Sequence, residues 1–171
     1  MSGTLHLPRG TPPKGGWPLI AWEHGTLGVA DSCAPSWAEH KPRDGAYVNE
    51  WLKRGFAVVS TDYQGLGGPG PHPYTIWPAE DRSVLDGIRA ALGAYKSRIA
   101  NTVIISGQSQ DSGAAFGATR LWQSYAPDVN LKATIATGVI VRSTGGPVKI
   151  SGEGRPGRDA RARAPYNDPN N

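Results

Sequence analysis

The chain holds one cysteine, Cys33, which excludes an intrachain disulfide framework and leaves that residue as a small apolar filler. No apolar stretch approaches the roughly 18 residues of a membrane-crossing helix, so no membrane span is expected. The opening Met1-Ser2-Gly3-Thr4-Leu5-His6 lacks the basic-then-apolar pattern of a secretion signal, and the chain as written is expected to be soluble and unsecreted. The net charge of +4 comes without zinc-ligand spacing, a recognition helix or a basic-aromatic stripe. Neither a metal nor a nucleic acid partner is therefore expected. Much of that charge lies in Arg142, Lys149, Arg155, Arg158, Arg161 and Arg163, near the C-terminus. Histidine is scarce too: the four are His6, His24, His40 and His72.

What is present suits one buried core, with 171 residues, 38% of them apolar, and six tryptophans. Single α/β domains often need about 200 to 250 residues, so the length points to a shortened version of such a fold. Residues 7–16, rich in Pro, Gly and Lys, read as an extended leading loop. Residues 17–23 form a short apolar run, expected as a buried strand, and His24-Gly25-Thr26-Leu27-Gly28 follows as a glycine-punctuated turn. Residues 46–54 space Val48, Trp51 and Leu52 helically, with Gly55 placed to end the helix and a strand expected over 56–60.

The Gly- and Pro-crowded stretch 62–78 reads as a long loop of the kind that is functional or mobile. Its Gly65-Leu66-Gly67-Gly68 run is a poor phosphate loop, because it continues into Pro69, Pro71 and Pro73 instead of opening a helix. An amphipathic helix is expected over 79–95, with Val84, Leu85, Ile88, Ala91, Leu92 and Tyr95 on the apolar stripe and Glu80, Asp81, Arg82, Arg89 and Lys96 largely elsewhere. Strands at 102–106 and 131–137 bracket a second strong helix at 109–125. Alternating strand and helix predicts a three-layer α/β/α fold with a mainly parallel sheet, and ligands in such folds sit beyond the carboxyl ends of the strands.

Both special turns fall at such ends. In Gly107-Gln108-Ser109-Gln110-Asp111 a strand, a tight turn and a helix start put a serine at the apex, as the G-x-S-x-G nucleophile elbow requires. The N–H of Gln110 at the helix start then faces a developing oxyanion. An ordinary helix cap is the competing reading of Ser109. Asp111 replaces the last glycine of the motif, which suits the helix dipole but brings a negative charge near an oxyanion site. The His24 to Gly28 turn occupies the position of the second oxyanion donor loop.

Over about residues 3–138 the chain resembles the secretory lipase and esterase family of the α/β-hydrolases. The resemblance rests on Trp22-Glu23-His24-Gly25-Thr26, Ala30-Asp31-Ser32-Cys33-Ala34-Pro35-Ser36, Thr61-Asp62-Tyr63-Gln64-Gly65-Leu66-Gly67 and Gly107-Gln108-Ser109-Gln110. It implies a partial α/β-hydrolase core and an esterase or lipase that cleaves carboxylic esters through an acyl-enzyme on Ser109. It further implies oxyanion donors at the Gln110 and Thr26 amides, no cofactor and a small-molecule ester substrate, with short acyl chains favoured. The family is secreted, so the compartment stays undecided. The family's leading strands and signal are expected to lie outside this chain, which reads as the central piece of a larger enzyme.

In these hydrolases the acid and then the histidine follow the serine, yet every histidine here precedes it. Three substitutes are weighed as base or orienting group: His24, His72 and Asp111. Tyr63 is read as an oxyanion partner or a wall of the substrate cleft, with Trp22 as a second wall and Trp37 and Trp77 as further candidates. A competing reading is a catalytically impaired fragment that binds or self-associates through unpaired sheet edges. From about residue 139 the apolar periodicity stops. Residues 1–138 are thus expected as the truncated core and 139–171 as a Gly/Arg/Pro-rich tail, disordered or the product of a shifted reading frame.

Overall fold

The computed structural model describes residues 1–139; all but the first residue of the expected tail lies outside the described residues. Alternation of side chains along the strands decides which layer each residue joins. In β2 (Trp17–Glu23), Leu19 and Ala21 face one side, while Ile20 and Trp22 face the other. The first helix, α1 (Pro42–Lys53), covers the second side by packing Val48, Trp51 and Leu52 over Ile20, Trp22, Val58 and Ile104. On the opposite side α2 (Trp77–Ala94) and α3 (Gln110–Tyr125) bury Leu19, Ala57, Val59, Val103 and Ile105. The result is the three-layer α/β/α arrangement expected from the sequence.

With β1 (Gly3–His6), β3 (Ala57–Thr61), β4 (Ile99–Gln108) and β5 (Leu131–Thr137), the five strands lie in the order β1-β3-β2-β4-β5. From β3 through β2 and β4 to β5 the strands are parallel. Because β3 and β4 flank β2 on opposite sides, the chain reverses its direction of winding at β2, and the crevice at the carboxyl ends of β2 and β4 is the switch point where α/β sheets bind ligands. The turn after β2 and the serine turn after β4 are thereby neighbours.

Several boundaries differ from the sequence reading. The N-terminus is not featureless: β1 (Gly3–His6) pairs antiparallel with β3, Gly3 opposite Thr61 and His6 opposite Val58. Four half-exposed residues carry no periodic signal, and only the β3 edge makes them a strand. Helix α1 starts at Pro42, where a missing N–H costs nothing, four residues earlier than its apolar spacing shows. The largest difference is in α2, whose first turn is interior: Glu80 is wholly buried and Asp81 is 7% exposed. Both were expected on a polar face. Asp81 abuts Gly117 of α3, where no side chain would fit.

The Asp31–Cys33 and Pro35–Trp37 segments form single-turn 3₁₀ helices, the second of which is pinned to the end of β3 by Asp62. Its carboxylate accepts from the Ser36 amide (2.9 Å), the Ser36 hydroxyl and Ser2 Oγ (2.6 Å). That contact joins the Ala34-Pro35-Ser36 motif to the Asp62-Tyr63-Gln64 motif.

Candidate active site

Between the last residue of β4 and the first of α3, Ser109 adopts φ 63°, ψ −119°, a region that L-residues avoid. Its N–H donates to Thr137 O at 2.9 Å, which carries the β4–β5 ladder up to the apex. The side chain is exposed, and its hydroxyl makes no capping bond. The ordinary-cap reading thus fails, because an N-cap serine has extended backbone and spends its oxygen on the helix. The tight turn depends on Gly107, since a Cβ there would run into the Asp111 carbonyl and stand 3.1 Å from the Ala115 methyl. Gln110 N–H, at the first position of the helix, has no acceptor among the described residues, nor has Thr26 N–H.

Side chains tie the two turns together. Thr26 Oγ1 donates to Gln110 Oε1 at 2.8 Å, and Gln110 Nε2 donates to Glu80 Oε1 at 2.6 Å. Glu80 Oε1 also takes the Thr75 N–H at 3.0 Å, and Tyr74 OH lies 3.2 Å from Thr26 Oγ1. The 62–78 segment, expected as a functional or mobile loop, is therefore hitched to the site at residues 74 and 75, and it is braced internally where His72 Nδ1 donates to Gln64 O at 3.0 Å.

Below the turns lies a floor of buried carboxyls: Glu23, Glu80 and Asp111. Burial pushes all three upward from their ordinary range. Asp111 Oδ1 accepts the Tyr63 hydroxyl at 2.7 Å, while Asp111 Oδ2, Glu23 Oε2 and Glu80 Oε2 are enclosed without partners among the described residues. Asp111 is buried, and its burial disfavours the carboxylate, which works against the negative charge expected near the oxyanion. It contacts neither His24 nor His72 by a hydrogen bond, which removes the orienting role considered for it.

Tyr63 also requires correction. It is 1% exposed, with its hydroxyl committed to Asp111 and its ring set between His24 (centroids 4.9 Å apart) and His72 (6.2 Å), so it walls no open cleft. His24 is 3% exposed; its Nδ1–H donates to Gly25 O at 3.1 Å, which leaves Nε2 as the basic nitrogen, buried and unpartnered among the described residues. Burial lowers its pKa. His72 is half-buried. Neither histidine is hydrogen-bonded to Ser109, so neither stands as its base in this arrangement.

Trp22 lies on the α1 side, edge-on to His40, and helps to line a cavity of about 220 Å³ with Leu27, Cys33 and Asp44. Trp77 packs at Gly113, and Trp37 is 62% exposed. The sequence reading missed Glu23, Glu80 and the Gln110 side chain. The only signal was a glutamate at the start of α2, which the helix dipole accounts for equally well.

A strained serine between a parallel strand and a helix, over the switch point of this sheet, defines a partial α/β-hydrolase core. The secretory lipase profile matches residues 42–153, more than half of the sequence, and the chain belongs to that family. Among solved structures it is similar to lipase A of Candida antarctica in its closed state (TM-score 0.65, 23% identity, 79% of this chain and 33% of that one). It also resembles a mutant of the rice cell wall degrading esterase LipA from Xanthomonas oryzae (TM-score 0.59, 28% identity, 77% and 36%). A putative hydrolase from Legionella pneumophila shares the fold at 18% identity (TM-score 0.57, 78% and 37%). No curated protein sequence matches the chain. The chain spans about a third of the length of the solved structures it matches.

Proposed function

We propose that this chain carries the nucleophile and oxyanion half of a serine ester hydrolase acting on small carboxylic esters, short acyl chains favoured. The observation that carries this reading is the exposed, uncapped Ser109 hydroxyl on a positive-φ apex, beside the Gln110 N–H, which has no acceptor among the described residues. Ser109 Oγ attacks the acyl carbon and the alcohol leaves. The Gln110 and Thr26 amides hold the oxyanion, and water then releases the acid from Ser109.

With no histidine bonded to Ser109, the turnover expected of this chain is weak: roughly a thousandfold over water is what an oxyanion hole and binding retain without a complete triad. A fluorophosphonate probe and p-nitrophenyl butyrate test the reading against Ser109→Ala. Labelling and hydrolysis are expected to depend on Ser109, and equal behaviour of the two proteins refutes it.

A second reading, a catalytically impaired module that self-associates, is favoured by β5. Among the described residues this strand pairs only with β4, and Ile135 is 38% exposed. It predicts oligomers by light scattering and no serine-dependent turnover. If association completes the site, mixing Ser109→Ala with His72→Ala chains restores activity.

A further inference from the structure

We infer that Gln110 acts through its side chain as a buckle between the two oxyanion turns, with Glu80 as its anchor and Thr26 as its clasp. The inference rests on the serine hydrolase reading above. The turn that carries the Thr26 amide lies between the end of β2 and the Asp31–Cys33 helix, with Gly25 and Gly28 beside Thr26. Thr26 itself is exposed, so packing does not fix its N–H. The Gln110 amide, in contrast, is fixed by the start of α3. Two donors must converge on one oxygen, and a displacement of about 1 Å can cost a hundredfold in rate.

Gln110 is suited to join them because its carboxamide both accepts and donates. Oε1 takes the Thr26 hydroxyl at 2.8 Å, and that bond holds the exposed turn against α3. Nε2 gives its proton to Glu80 at 2.6 Å, which fixes the orientation of the amide and so keeps the oxygen facing Thr26. Glu80 is held in turn by the Thr75 N–H and by its place in the first turn of α2, fully buried. The chain from Glu80 through Gln110 to Thr26 therefore crosses three segments that are distant in sequence. It spends no atom of either proposed oxyanion amide. Gln110 and Glu80 are positioning residues here, apart from the role of the Gln110 N–H itself.

Thr26→Val removes the clasp while keeping shape and amide at an exposed site, so folding is not at stake. Gln110→Met keeps volume and N–H but loses both side-chain bonds. For p-nitrophenyl butyrate each is expected to lower kcat about 10- to 100-fold with KM within about twofold, because the oxyanion exists only in the transition state. Thr26→Ser, which retains the hydroxyl, restores the rate. The double variant is expected to be no worse than the poorer single one, since both cut the same bond. Additive losses, or kcat unchanged in Thr26→Val, overturn the inference.

A readout independent of turnover is the ¹³C relaxation of the Thr26 methyl group. Its order parameter is expected to fall in Gln110→Met, with the methyl groups of β4 unchanged, and an unchanged order parameter at Thr26 refutes the buckle. Loss of Ser109 dependence with a falling order parameter would instead sink the hydrolase reading and leave the buckle standing.

Discussion

Ser109→Gly separates the strain of the serine turn from its chemistry. The residue sits at φ 63°, ψ −119°, where a Cβ is unfavourable, and such positions cost about 1 to 3 kcal/mol. Glycine removes that cost but gains freedom in the unfolded chain, which returns roughly 0.5 to 1 kcal/mol. The net expectation is a stabilisation of up to about 2.5 kcal/mol, centred on roughly 1 kcal/mol. Ser109→Ala is the proper control. It keeps the Cβ and loses only a hydroxyl that is exposed and caps nothing, so its stability is expected within about 0.5 kcal/mol of the parent. Urea unfolding followed by tryptophan fluorescence gives both values, and at about 2 to 4 °C per kcal/mol the melting temperature of Ser109→Gly should exceed that of Ser109→Ala by a few degrees. Equal or lower stability of the glycine variant would refute the strained-elbow interpretation. Neither variant is expected to take a fluorophosphonate label, so the glycine protein should be the more stable of two inert ones.

Asp81 supplies a pH test: burial first, then the charge of Glu80, raises it from 3.8 to about 7 against the opposing pull of Arg82 and Arg120. Below pH 4 it is protonated in both states. Between pH 4 and 7 the unfolded chain releases the proton that the folded chain keeps, so stability falls as pH rises and levels off above 7, by at most about 4 kcal/mol. Asp81→Asn should flatten that part of the profile, and a variant with the parent slope would show that Asp81 is ordinary. In the sheet, Ile105→Ala, at a fully buried position of the interior strand β4, is expected to cost about 2 to 5 kcal/mol by chemical denaturation. Ile135→Ala on the half-open β5 should cost far less, and comparable losses would mean that β5 is covered.

The serine turn was readable from sequence because everything it needs is contiguous: an apolar strand, Gly107, Ser109 and a helix start within a dozen residues. The same holds for β2 and its glycine turn, and for the alternation that gives the parallel sheet. Strand β1 was not readable, since its four residues become a strand only against β3, more than fifty positions away. Nor was the floor of the site. Asp111 and Tyr63 stand 48 residues apart, and Glu80 and Gln110 stand 30 apart. A polar side chain at a helix start looks the same in sequence whether it meets water or a neighbour. Local pattern thus determined the elements and the apex serine, because backbone geometry is set by near neighbours. Packing of α2 and α3 over the sheet decided which carboxyls are buried and which histidines are spent. It also decided that Gln110 faces Thr26, because desolvation and hydrogen-bond partners depend on what folds against a residue.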